Sequence, residues 1–138
     1  MVDLQTILAT HHPKTREKER NASDRPNQKP NISEIPDVFF DDVLVNYKLN
    51  RVEAMVLMYL YRQVWCRPNL YKEYGLSQIL SHTEISKSLK ISLDDVYHAL
   101  RNLESLSLIE TIRSGQYFLR KFFTEENDQL YGQRYDDF

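Results

Sequence analysis

The chain has 138 residues, three glycines, one cysteine and a formal net charge of -2. That length suits one domain with a modest core. The near-neutral balance gives no global pull toward a polyanion, three glycines leave no room for a phosphate-cradling glycine loop, and a lone Cys66 excludes an intramolecular disulfide. The thiol usage fits a reducing compartment, and the sequence has neither a membrane-length apolar run nor a signal-peptide layout, so we expect a cytoplasmic protein with no membrane partner.

Residues 1–34 read as a disordered N-terminal arm. From Ala9 onward almost nothing is apolar, and Pro13, Pro26 and Pro30 interrupt the stretch. Such a segment buries too little surface to offset its ordering entropy. Val2, Leu4, Ile7 and Leu8 at its start read either as a frayed terminus or as a short peptide that docks on a protein partner.

Residues 35–124 read as the folded domain. "IPDVFFDDVLVNY" begins with Pro36, tolerated in a first helical turn, and Val38, Phe39, Val43 and Leu44 give it an apolar side. "LNRVEAMVLMYLYRQVW" is a longer helix. Asn50 and Glu53 have capping-box spacing, and Val52, Met55, Val56, Tyr59, Leu60 and Val64 recur at helical intervals. Leu57, Met58 and Tyr61 widen the apolar surface, so this helix is central or lies at a dimer interface. Arg67-Pro68 ends it. After Gly75, "LSQIL" reads as a short strand.

"SHTEISKSLK" is the next helix, with Ser81 as cap, Glu84 three residues on, and Ile85 and Leu89 facing inward. A tight turn at Lys90-Ile91 leads to Ser92, which caps the following helix, "LDDVYHALRNLESL". Its buried stripe is Val96, Ala99, Leu100, Leu103 and Leu106, while Asp94, Tyr97, His98, Arg101 and Asn102 face away. Asp94 and Asp95 suit the positive end of the helix dipole, and Asp95 has the spacing to return a hydrogen bond to the Ser92 amide. "LIETIR" and "YFLRKFF" form a hairpin about Arg113-Ser114-Gly115-Gln116. Two short helices joined by such a turn make a helix-turn-helix.

Residues 125–138, within "TEENDQLYGQRYDDF", read as an acidic aromatic tail. Five acids face one arginine there, with Tyr131, Tyr135 and Phe138 between them. Such a segment is a solvated end, a peptide folded back on a basic face, or a hook for a protein partner. Residues 37–123 carry eleven basic and ten acidic groups, a balance that neither demands nor forbids DNA.

"IPDVFFDDVLVNYKLNRVEAMVLMYLYR" followed by "TEISKSLKISLDDVYHALRNLESLSLIE" resembles the N-terminal domains of DnaD-type and RepA-type replication initiators, and the second half is more distantly similar to MarR-like regulators. The resemblance covers about residues 35–123. It implies an α+β, mainly helical fold, a winged helix-turn-helix with a short β-hairpin wing, and double-stranded DNA as partner of a homodimer. The chain departs from the family pattern at Ser105-Leu106-Ser107, where a basic residue and a glycine are usual, and in a short wing with one arginine.

On that reading the helix after Ser92 enters the major groove, with Arg101 placed for guanine and Asn102 for adenine. Tyr97 and His98 would touch sugar-phosphate or base methyls. Lys87, Ser88, Lys90 and Ser92 would approach the backbone, joined by Arg113 on the wing and by one of Arg120 and Lys121, which strand alternation would place on opposite faces. The competing reading pairs Arg101 with a nearby acid and leaves Tyr97 and His98 as ordinary surface. Two functions follow: a non-enzymatic DNA-binding protein in regulation or replication, or a protein-interaction adaptor built on the same shape. No enzyme is expected. His11 and His12 lack ligand-spaced partners, His82 lies in a cap, His98 lies on a face, and Cys66 has no histidine near it in sequence, so neither a metal nor a cofactor is expected.

Overall fold

The computed structural model describes residues 29–137. The chain divides into two units, Met1–Ile32 and Ser33–Phe138. The reading of the arm, including its apolar start and His11 and His12, lies almost wholly outside the described residues. The second unit is α+β: helices around a small two-stranded antiparallel sheet.

The unit opens with a lead-in helix, a π-helical turn Phe39–Val43 running into an α-helical turn Leu44–Asn46. Phe39 and Val43, one turn apart, are buried, and Phe40, Leu44 and Val45 stay exposed. Helix α1, Arg51–Tyr61, starts at a capping box. Asn50 Oδ1 accepts from the Glu53 amide at 2.7 Å, and Glu53 Oε1 accepts from the Asn50 amide at 2.9 Å. These bonds satisfy two amides at the helix end that have no intrahelical partner. Val56, Leu57, Leu60 and Tyr61 are buried almost completely, so of the two places its apolar surface allows, α1 takes the central one. A π-helical turn, Arg62–Cys66, carries it to Arg67, which is extended before Pro68.

Helix α2, His82–Leu89, is capped by Ser81, whose side chain accepts from the Glu84 amide. It ends at Lys90 in the left-handed region, φ 56°. Helix α3, Leu93–Ser105, is capped by Ser92, which accepts from the Asp95 amide at 3.0 Å. No return bond from Asp95 to Ser92 forms, so this cap works one way only. Val96, Ala99, Leu100 and Leu103 form the buried stripe. Leu106, expected in that stripe, is exposed instead. The helix stops at Ser105, and Ser107 at φ 61° turns the chain away before the stripe reaches it. Leu108 and Ile109 re-enter the core in its place.

Strands β1, Glu110–Arg113, and β2, Gln116–Phe118, form the hairpin, with Thr111 opposite Tyr117. The expected strand at Leu76–Leu80 is not regular. It is an extended segment that makes one bridge, Leu76 to Phe118. Backbone bonds still run along β2: Leu119 N to Gly75 O, Ser77 N to Tyr117 O, and Leu80 N to Gly115 O. Gly115 sits at φ 80°, and a Cβ there would lie 2.8 Å from the Leu80 carbonyl oxygen, so the tip of the hairpin requires glycine for both reasons.

β2 ends at Phe118, which removes the alternation expected of Arg120 and Lys121. The chain turns through Phe123 at φ 74°, a costly conformation for a bulky residue. Burial offsets that cost: the Phe123 ring stacks on Tyr61 at 4.7 Å and lies 5.3 Å from Phe39. Thr124 then caps helix α4, Glu125–Leu130.

Asp128 and Tyr135, in the segment after Thr124, are bound to the body. Asp128 is buried and accepts from the Phe122 amide at 3.1 Å, Arg120 Nη1 at 3.2 Å and Tyr135 Oη at 2.5 Å. Tyr135 Oη in turn accepts from the Lys121 amide at 2.7 Å, and its ring packs near Trp65 and Phe118. A Cβ on Gly75 would meet the Phe118 and Tyr135 rings at 2.8 and 3.1 Å. Of the alternatives for this segment, folding back onto the body is the one observed, although its anchor is a single arginine and an aromatic cleft rather than a broad basic face.

Candidate nucleic-acid interface

The exposed side of α3 is set by the buried one. With Val96, Ala99, Leu100 and Leu103 turned to the core, helical periodicity leaves Leu93, Asp94, Tyr97, His98 and Arg101 outside. Leu93 and Tyr97 are 52% and 45% exposed, so this stripe presents apolar surface as well as charge.

Within the stripe the side chains contact one another. Arg101 Nη1 donates to Tyr97 Oη at 2.7 Å, and the guanidinium carbon lies 5.5 Å from the Tyr97 ring centre. The Tyr97 and His98 rings meet edge to face at 5.7 Å. The hydrogen bond to Tyr97 raises the Arg101 pKa above its usual value, with further support from the same hydroxyl and from Glu104. Arg101 therefore pairs with a hydroxyl rather than with the acid that the competing reading required. Among the described residues the one ion pair is Arg120–Asp128.

Asn102 does not join this group. Its Nδ2 donates to Glu53 Oε2 at 2.7 Å, tying α3 to the start of α1. Glu53 is buried, and its two oxygens are used by Asn50 and Asn102. The expected adenine contact is thus replaced by an internal tie, since a buried carboxylate is costly without such partners.

The flanking residues lie where the sequence reading put them along the chain. Lys87 and Ser88 are exposed in the last turn of α2, Lys90 is exposed at its left-handed end, and exposed Ser92 spends its hydroxyl on the cap. Arg113 is exposed on β1, with Nε donating to Gln116 Oε1 at 2.8 Å. That bond fixes the base of the guanidinium and leaves its outer edge open. Arg120 and Lys121 are turned to other work: Arg120 holds Asp128, and Lys121 lies over Trp65 and Phe122. Asp94 and Asp95 remain exposed in the first turn of α3 and reduce the positive field of the face.

Two features of the site were missed in the sequence. Leu93 stands four residues before Tyr97 and eight before Arg101, a spacing that would have revealed it as part of the stripe. Its spacing from Asn50 marks Glu53 as a capping residue, and no local pattern marks its second bond across to α3.

A cleft of about 550 Å³ lies at the C-terminal end of α3, beside β1 and α4. Glu104, Glu110, Glu125 and Glu126 line it against one base, Arg120, which is paired with Asp128, so its net charge repels phosphate. His82 Nε2 lies 3.3 Å from the buried Tyr117 hydroxyl and serves the core. Among the described residues no group of three metal-ligating side chains forms, and no helix is long and apolar enough to cross a membrane. No family model matches the chain, and no curated protein or solved structure matches it.

Proposed function

We propose that this protein binds double-stranded DNA as a winged helix-turn-helix, with α3 in the major groove and the β1–β2 hairpin as a short wing. The observation that carries the reading is the outward stripe of α3. Tyr97, His98 and Arg101 stand exposed, bond and stack, among the described residues, with one another, and lie in the helix that follows Lys87 and Lys90. The order of elements supports it: central helix, extended segment, α2, turn, α3, hairpin, with the extended segment running along the second strand of the hairpin.

In such a complex the division of labour follows from chemistry. Lys87, Lys90 and Arg113 provide point charges for phosphate, which set affinity without reading sequence. Arg101 offers paired N–H donors to a base edge, and Leu93 and Tyr97 offer apolar surface to thymine methyls. Asp94 and Asp95 lower non-specific affinity and thereby favour sites at which the base contacts form.

The test is a titration of the full chain on duplex DNA at several salt concentrations. Lys90→Gln and Arg113→Gln should each weaken binding to all sequences and each reduce the salt slope by about one unit. Unchanged slopes in both variants, or no binding by the parent chain at low salt, would refute the proposal. A protein-interaction adaptor is the second reading, favoured by Phe40, Leu44 and Val45, exposed at 53%, 46% and 71% on the lead-in helix. It predicts no DNA binding at any salt concentration.

A further inference from the structure

Arg101 and Tyr97 make one unit. A free arginine side chain has many rotamers, and much of that freedom must be given up before its planar fork can meet a base. Here part of it is already lost. Nη1 is held by the Tyr97 hydroxyl at 2.7 Å, and the guanidinium carbon lies 5.5 Å from the centre of the same ring, so one neighbour restricts where the fork can stand. The His98 ring meets the Tyr97 ring edge to face at 5.7 Å.

The identity of the anchoring group matters. A carboxylate one turn away would hold the guanidinium equally well but would cancel its charge and compete for its donors. A phenol is neutral, accepts one hydrogen bond and leaves the Nε–Nη2 edge of the guanidinium free. That edge presents two parallel N–H groups, the pattern that matches O6 and N7 of guanine. The anchor lies on α3 itself, four residues back, so the fork is set relative to the same helix that would lie in the groove.

We propose that Tyr97 is a positioning residue that orients Arg101 to read guanine, so that specificity at one base pair depends on a hydroxyl that touches no base. This inference rests on the DNA-binding reading of α3. It goes beyond that reading in naming the base, the edge of the arginine that meets it and the residue that sets its geometry.

The experiment is selection of bound sites from a randomised duplex library by the full chain, by Arg101→Ala and by Tyr97→Phe. Competition binding at the guanine position and a thermal melt of each variant follow. The parent chain should enrich sites with one fixed guanine. Arg101→Ala should erase preference there, a loss of about 5- to 150-fold in discrimination, the range for one bidentate pair. Tyr97→Phe keeps the ring and removes the hydroxyl, and should lower discrimination at that position by about threefold to tenfold, the worth of one hydrogen bond. The loss should be confined to that position, with the melting temperature unmoved. Equal discrimination in Tyr97→Phe and the parent would overturn the positioning role while leaving DNA binding intact. A uniform loss across all positions, or a lowered melting temperature, would assign Tyr97 a merely structural part. A parent chain that enriches no site would overturn the DNA-binding reading and this inference with it.

Discussion

Asp128→Ala tests how the last described residues are held to the body. Asp128 is 2% exposed and accepts three hydrogen bonds, from the Phe122 amide, Arg120 and Tyr135. Alanine removes all three and leaves the donors behind. Hydrogen bonds to an ionised group contribute about 1.5–3 kcal/mol each. The Arg120 side chain is 30% exposed and can turn to water, so its share is discounted toward the ~0–1 kcal/mol of a surface pair. The Phe122 amide and the Tyr135 hydroxyl then dominate, and the loss is about 3–5 kcal/mol. At about 4 °C per kcal/mol for a domain of this size, the melting temperature should fall by roughly 12–20 °C. Urea denaturation followed by tryptophan emission is the suitable assay, because the single tryptophan, Trp65, lies 6.1 Å from the Tyr135 ring and reports on the same junction. Tyr135→Phe should cost about 1–2 kcal/mol, since it removes one of the three bonds and keeps the ring. A loss under about 1 kcal/mol for Asp128→Ala, with parent-like Trp65 emission in the folded state, would refute the account. On the same reasoning, deletion of residues 125–138 is a core mutation, because it removes Asp128 and uncovers Trp65 and Phe118.

Further expectations concern the interior. Leu100→Ala and Leu103→Ala should each cost about 2–5 kcal/mol in a denaturation assay, because both side chains are buried in α3. Asn102→Ala, at an exposed position, should still cost about 1–3 kcal/mol, because it leaves a buried Glu53 oxygen without its donor. A loss within the ~0.5 kcal/mol of ordinary surface changes would show that the tie contributes nothing. Stability should also decline in alkali. Burial first, then the Asp128 contact, raises the Tyr135 pKa above the ordinary 10.0, and burial likewise raises those of Tyr61 and Tyr117. The folded state then keeps protons that the unfolded chain releases, so their contribution is complete below about pH 10 and is lost as pH rises above it. Denaturation midpoints from pH 8 to 11.5 should show that decline, and Tyr135→Phe should make it shallower. An equally steep decline in Tyr135→Phe would remove Tyr135 from the account.

Local chemistry made much of this protein legible in its sequence. Asn50, Ser81 and Ser92 announce helix starts because a side-chain oxygen three residues before a free amide caps it wherever the helix ends up. The 3.6-residue recurrence of Val96, Ala99, Leu100 and Leu103 defines the buried side of α3, and with it the outward placement of Tyr97, His98 and Arg101. Gly115 marks the hairpin because a positive φ is a property of the backbone at one residue. Tertiary structure decided what depends on partners distant in sequence. Leu76–Leu80 lies along β2 through scattered backbone bonds that no period-2 pattern encodes. Asn102 has the spacing of an outward residue, yet its amide belongs to Glu53, 49 residues earlier. Tyr135 and Asp128 lie in a segment whose composition suits a solvated end, a partner hook or a peptide folded back on the body, and composition alone does not choose among them. A carboxylate is soluble in isolation and becomes a structural hub only when an amide, a guanidinium and a phenol converge on it. That convergence depends on the turn after β2 and on the ring of Phe123 being buried against Tyr61, neither of which a short window of sequence contains.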